Sequence, residues 1–238
     1  MSFVDGYSAG VVATDGIARV GSRTGGEAPG LLTAFASRTH TWAGESPSVT
    51  LSRPFAGLGG YIHEMEVINL GRADGLPPVD WASVVEKLDA GLAPAPEAIN
   101  SRTTWLTTIN EDGSAHVTPV GALWFDGAFW FQTGSGTRKA RNISRDPRCS
   151  VAVSVRDADI VIEGEAKRVT DRDAVARIAQ AWADQGWPAE PDPTGSGITA
   201  PFNAPSQGPP PWNVYRMESR SAVVAVATDA GGLTRFRF

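Results

Sequence analysis

The stretch Phe131-Gln132-Thr133-Gly134-Ser135-Gly136-Thr137-Arg138-Lys139-Ala140-Arg141-Asn142 carries the chemistry most open to reading in this sequence. A strand ends in a glycine-rich turn, and a helix begins with a hydroxyl cap followed by two cations. The first N–H groups of a helix have no intrahelical acceptor and favour an anion. Arg138 offers a bidentate fork for phosphate oxygens and Lys139 a compact charge. Ser135 and Thr137 add hydroxyl donors. Two cations at a helix start oppose the helix macrodipole, so an anion is expected to compensate them. Together these residues describe a site for the terminal phosphate of a small cofactor. On local chemistry alone, a solvated basic helix face fits them equally well. The full glycine–lysine spacing of a triphosphate loop is absent.

Other chemistry-bearing residues are sparse. Cys149 is the only cysteine, so neither an internal disulfide nor a thiolate metal cluster can be built. Cys149 opens a strand and reads as a small buried hydrophobe. His40, His63 and His116 are far apart, and no metal site is expected. His116 begins a strand and reads mainly as a rim residue, with polarisation of a ligand carbonyl as the functional alternative. Trp105, Trp124 and Trp130 read as core or subunit-interface aromatics. No Ser-His-Asp set or paired carboxylates stand out, and no catalytic side chain is named; Glu163 and Glu165 alternate on a solvent-facing strand. Net charge is −5, which argues against a nucleic-acid footprint. No apolar run has the length of a membrane span, and the N-terminus lacks a signal-peptide pattern, so a cytoplasmic protein is the expectation.

The elements that position the basic helix start come next. Residues 1–64 are rich in Gly, Ser, Thr and Ala, without sustained periodicity, and are expected to stand outside the fold. They read either as a disordered low-complexity extension or as the result of an upstream start, with Met65 as the natural one. Residues 65–102 read as an N-terminal helix and connector. Asp80 caps that helix, Trp81, Val84, Val85 and Leu88 share a face, and Gly91 ends it. From 103 to 133 the period switches to strands, with turns at Asp112-Gly113 and Asp126-Gly127, which predicts a meander of three antiparallel strands over 104–109, 115–124 and 128–133. Thr137 caps a helix to about Ser144. Strands follow at 149–155 and 160–169. A helix capped by Thr170 or Asp171 then buries Val175, Ile178 and Trp182 and ends at Gly186. Residues 187–212 form a long Pro/Gly-rich loop. Two strands, 213–217 and 221–227, and a piece ending Thr234-Arg235-Phe236-Arg237-Phe238 complete the chain. The fold class is mainly β with a few short helices.

Three blocks in this order resemble the pyridoxamine 5′-phosphate oxidase-like flavin-binding split-barrel superfamily. They are Asp112-Gly113-x-x-His116-Val117-Thr118-Pro119-Val120, the strand Phe129-Trp130-Phe131, and Thr137-Arg138-Lys139-Ala140-Arg141-Asn142 leading to Asp146-Pro147-Arg148. The C-terminal Thr-Arg-aromatic-x-Phe pattern is similar to the actinobacterial branch that uses FMN or the deazaflavin coenzyme F420. The resemblance implies a six-stranded-type split β-barrel over 103–238 that works as a homodimer with its cofactor at the subunit interface. It implies cofactor contacts from Thr118, Pro119, Val120 and Gly121 along the ring system. Gln132, Thr133, Ser135, Thr137, Arg138 and Lys139 would hold the phosphate end. Arg141, Arg145 or Arg148 would meet the acidic tail if the cofactor is the deazaflavin.

The implied activity is hydride transfer between F420 or FMN, with the deazaflavin preferred from the branch that the chain resembles, and a small organic substrate. A non-catalytic flavin-binding or storage protein is the alternative. No nucleic-acid or membrane partner is expected. The chain departs from pyridoxamine phosphate oxidase itself, because Arg235 and Arg237 have no histidine between them, which puts vitamin B6 oxidation in doubt.

Overall fold

A computed structural model describes residues 12–14, 17–19, 49–51, 65–91, 104–204, 207–227 and 230–238. The chain divides into two units, Met1–Gly44 and Glu45–Phe238. In the first, β1 (Val12–Thr14) and β2 (Ile17–Arg19) form an antiparallel pair. The expectation for residues 1–64 falls mostly outside the described residues. Within that stretch, β3 (Val49–Leu51) pairs with β4 (Met65–Asn69) in the second unit.

The second unit is an antiparallel sheet with three α-helices. The first helix, α1 (Trp81–Asp89), begins where the Asp80 carboxylate accepts from the Ala82 N–H, and it buries Trp81, Val84 and Leu88. After it come β5 (Thr104–Ile109), β6 (Ala115–Val120), β7 (Leu123–Phe125) and β8 (Ala128–Thr133). The helix α2 (Arg138–Arg145) leads to β9 (Arg148–Val155) and β10 (Ala158–Val169). The helix α3 (Arg172–Asp184) follows, with Asp171 as its cap and Val175, Ile178, Ala179 and Trp182 buried. Short β11 (Glu190–Pro191) and β12 (Ile198–Thr199) pair within the Pro-rich loop, and β13 (Asn213–Val226) and β14 (Gly232–Arg237) close the chain.

The sheet runs β3-β4-β14-β13-β10-β9-β5-β6, and β8 joins it by pairing with β13. Alternation of side chains explains the main core. Leu106, Val151, Ile162, Ala222, Phe236 and Val67 stand opposite one another across successive strands. All of them are buried in a cluster with Phe129, Phe131, Tyr215, Met217 and Val224, roofed by Trp81, Val84 and Leu88 of α1 and Ile143 of α2. One residue earlier or later, the register line Pro119–Trp105–Ala152–Val161–Val223 lies on the other face. A second cluster joins Leu123, Ala128, Trp130 and Val214 to Val175, Ile178 and Trp182 of α3 and to Ile198 and Trp212 of the loop.

The structure corrects the strand reading in three places. The span 104–133 is not a three-strand meander: β6 pairs only with β5, whereas β7 pairs with β8 and β8 crosses to β13. The break falls at Gly121-Ala122, where the Thr104 hydroxyl donates to the Val120 carbonyl (2.9 Å) and accepts from the Ala122 N–H (3.3 Å), ending the ladder. The final two strands expected around residues 218–220 are one strand, β13. Its polar interruption is a bulge opposite Glu163 and Gly164, flanked by the cross-strand ion pairs Lys167–Glu218 and Arg220–Glu165. Met65–Asn69, read as helix or connector, is a strand paired with β14. The caps at Asp80, Thr137 and Asp171 stand where the sequence put them, and the helices end within two residues of the positions expected.

Candidate functional site

The candidate site is built where β8 ends and α2 begins. Thr133 is fully buried, and its hydroxyl lies 2.9 Å from the hydroxyl of Thr137. The Thr137 hydroxyl also donates to the Gly134 carbonyl (2.9 Å) and accepts from the Ala140 N–H (3.3 Å), which fixes the helix start. Asn142 ties the helix to the neighbouring strand by donating to Thr108 and Asn110, each at 3.1 Å. The glycine-rich turn is therefore a rigid joint.

Onto this joint the sequence projects its cations in two different environments. Lys139 is 3% exposed, and burial holds its ammonium below the ordinary lysine pKa. Arg138 is exposed. Half-buried His116, on β6 across from Thr108, lies near enough to both that their charges, after burial, depress its pKa. The reading of these residues as a wholly solvated basic face fails at Lys139. His116 stays half-buried near the start of β6, with the charges of Arg138 and Lys139 acting on it.

The other expected residues scatter by face. Thr118 and Val120 are buried, and Pro119 and Gly121 are exposed. Pro119 sits on β6, an end strand of the sheet, where its missing N–H costs no ladder bond. Ser135 is exposed on the turn. Gln132 does not share the face of Thr133. It stands opposite Val214 of the second cluster, it is 3% exposed, and its Oε1 has no hydrogen-bond partner. The three arginines expected to meet an acidic tail are already engaged. Arg141 donates to the Gly136 carbonyl at 2.6 Å, and Arg145 to the Ile109 carbonyl. Arg148 pairs with Asp146 at 2.6 Å, and the hydrogen bonds from Arg148 hold the Asp146 carboxyl down at about 2.

The Pro-rich loop adds a contributor that sequence reasoning missed. The Gly134 N–H donates to the Gln207 carbonyl at 3.1 Å. A Cβ at Gly134 would stand 2.4 Å from that oxygen, so only glycine permits this approach. Trp212 holds the loop: it is fully buried, donates from Nε1 to the Gly208 carbonyl at 2.9 Å and exchanges backbone hydrogen bonds with Ile198.

Cys149 is buried with its thiol pushed up to about 12, mainly by desolvation, so it is no nucleophile. Among the described residues, no group of His, Cys, Asp and Glu is placed to hold a metal, and no helix is long and apolar enough to cross a membrane. What remains is an anion-binding chemistry: a capped helix start, one buried and one exposed cation, hydroxyls, and a half-buried imidazole.

Residues 92–200, which span this joint, match the family described as pyridoxamine 5′-phosphate oxidase. The match covers a little under half of the chain. None of the curated protein sequences matches the chain. Among solved structures, the chain is similar to a conserved hypothetical protein from Mycobacterium tuberculosis, with 22% identity over 60% of this chain and 82% of that one and a TM-score of 0.44. It is similar to a pyridoxamine 5′-phosphate oxidase-related, FMN-binding protein from Nostoc punctiforme, with 14% identity over 64% and 87% and a TM-score of 0.44. The chain is also similar to PhzG from Burkholderia lata in complex with tetrahydrophenazine-1-carboxylic acid, with 15% identity over 67% and 85% and a TM-score of 0.43.

Proposed function

We propose that this protein is an oxidoreductase that holds a flavin-type cofactor by its phosphate at the start of α2 and passes hydride between that cofactor and a small organic substrate. The observation that supports this reading above all is the capped start of α2, where Thr137 fixes the turn and the first helical N–H groups, Arg138 and Lys139 gather at one end. The residues present fit a phosphate: Thr137 orients the turn, Lys139 supplies a desolvated charge, Arg138 a fork, and Ser135 a hydroxyl at the rim. Thr133, behind Thr137, fixes the hydroxyl that sets the cap. Gln132 reaches the same end from the opposite face of β8.

The cofactor, when bound, supplies the hydride chemistry, so no protein nucleophile is required. The chain's own task is to bind, orient and exclude water. Thr118, Pro119, Val120 and Gly121 lie on and just beyond β6, next to His116, and would run along the ring system. His116, neutral near pH 7 because its pKa is depressed, offers an imidazole instead of a third full positive charge. Engagement of Arg141, Arg145 and Arg148 within the chain favours the short phosphate arm of FMN over the acidic tail of F420.

The exposed line supports a homodimer of split barrels. Trp105 is 49% and Val117 55% exposed, and Pro119 and Val161 are exposed on the same face. A patch of large apolar residues of this kind marks an interaction surface. It runs beside Pro119, so a second copy seated there would close over the ring-binding strand. The domain of this dimer would be 103–238, with 65–102 contributing strand β4 and helix α1. Nothing in the chemistry calls for nucleic acid or a membrane, and a cytoplasmic setting is part of this reading.

The test is spectroscopic. Titration of the full chain with FMN and with F420, followed by fluorescence quenching, is expected to show saturable binding of one of them. Reduced cofactor should then be consumed with an acceptor panel. Failure of both cofactors to bind would overturn the reading.

A further inference from the structure

Strand β8 places its even-numbered residues on the side of α3 and the Pro-rich loop: Ala128 and Trp130 belong to that cluster, and Gln132 is next. Gly134 continues the row. The Cβ it lacks would point at the Gln207 carbonyl, so the backbone of Gln207 lies on the Gln132 side of the strand. Both glutamine side chains are buried, Gln132 to 3% and Gln207 to 6% exposure. Both leave Oε1 without a hydrogen-bond partner, and these are the only two amide oxygens so placed among the described residues. A buried amide oxygen that lacks a donor is costly, and two on neighbouring stretches of backbone call for donors from outside the chain.

The position of Gln207 is strongly determined. Its N–H donates to the Ala204 carbonyl at 3.1 Å, Ala204 and Gly208 form a bridge around it, and Gly208 takes φ +75°. Trp212 then anchors Gly208 from below. The loop thus holds Gln207 against the turn that leads into Thr137, Arg138 and Lys139.

We infer that Gln207 and Gln132 form a pair of hydrogen-bond acceptors for the hydroxyl groups of a polyol chain whose phosphate is held at the start of α2. The inference rests on the cofactor reading above. Its chemistry is specific: a phosphate brings no donors, and a fused ring brings few, whereas a ribityl arm brings a hydroxyl on each of its middle carbons. Such an arm is common to FMN and F420, so the pair recognises the arm and not the ring. The Pro-rich loop becomes a wall of the cofactor site.

The full-length protein and its Gln207→Met variant are titrated with FMN, riboflavin and lumiflavin, the bare ring system. Thermal denaturation without ligand checks folding, and Gln132→Met is carried through the same series. About tenfold weaker binding of both FMN and riboflavin is expected for each variant, with lumiflavin unchanged, since one net hydrogen bond is worth roughly a factor of ten. FMN affinity within twofold of wild type in both variants would overturn the inference. So would a loss shared equally by lumiflavin, which marks a structural role, or a loss for FMN with riboflavin spared, which marks a phosphate contact. Wild-type protein that binds neither FMN nor F420 would instead remove the cofactor reading itself.

Discussion

The two hydrophobic clusters of the larger unit are made in different ways. The first is a product of register: Leu106, Val151, Ile162, Ala222 and Phe236 meet because regular strands align them. The second is assembled from a helix and a Pro-rich loop, with Trp187 packed between Trp182 and Trp212 at centroid distances of 5.8 and 5.7 Å. Strand β8 belongs to both, giving Phe129 and Phe131 to one and Ala128 and Trp130 to the other. The candidate site grows from the end of that shared strand. A regular core supplies stiffness, and an irregular one supplies the shape that brings Gln207 to Gly134.

Substitutions that empty one cluster at a time sharpen this contrast. Phe131→Ala and Trp212→Ala should each cost about 3–5 kcal/mol of stability, read from urea unfolding. Only Trp212→Ala is expected also to weaken cofactor binding in the protein that remains folded, because the loop loses its anchor. Equal effects of the two on binding would erase the distinction. Next in size, removing both cations with Arg138→Ala and Lys139→Ala should cost about 3 kcal/mol or more in FMN affinity, roughly a hundredfold, since hydrogen bonds to charged groups are each worth about 1.5–3 kcal/mol. Fluorescence titration reads it, and unchanged binding would refute the phosphate site.

The outward face of the sheet offers a further test. Trp105→Glu should shift sedimentation from dimer toward monomer at micromolar protein, with little change in the unfolding midpoint of the monomer. A wild-type protein that is monomeric at every concentration would break the dimer proposal.

The smallest expected effect concerns pH. His116 has a folded pKa below that of the unfolded chain, so the unfolded state binds the proton more readily. Stability contributed here is full above the ordinary histidine value. It falls as pH drops through that value toward the lower folded pKa, and is level below it. His116→Asn should flatten the part of the stability profile that lies below the ordinary histidine pKa. A profile identical to wild type would show that burial and the charges of Arg138 and Lys139 do not act on His116.

Sequence patterns made some elements legible and hid others for definable reasons. Caps at Asp80, Thr137 and Asp171 are local hydrogen bonds between a side chain and the next turn, so residue type and spacing suffice. Strand pairing is not local. Nothing in Leu123-Trp124-Phe125 tells that β7 leaves β6 and that β8 crosses to β13, because the break depends on the Thr104 hydroxyl, a residue of another strand. Likewise, Glu218-Ser219-Arg220 looks like a turn until Lys167 and Glu165 are seen across from it.

The sequence by itself determined the helix starts, the glycine-rich turn, the basic pair behind it and the buried, inert character of Cys149, all of which rest on chemistry within a few residues. Tertiary structure alone decided that Lys139 is buried while Arg138 is exposed, that His116 stands beside them, that Gln132 faces away from Thr133, and that Gln207 arrives from a distant loop. Those facts depend on which strand lies next to which. Burial and electrostatic coupling act through space, and a linear chain does not record its distances.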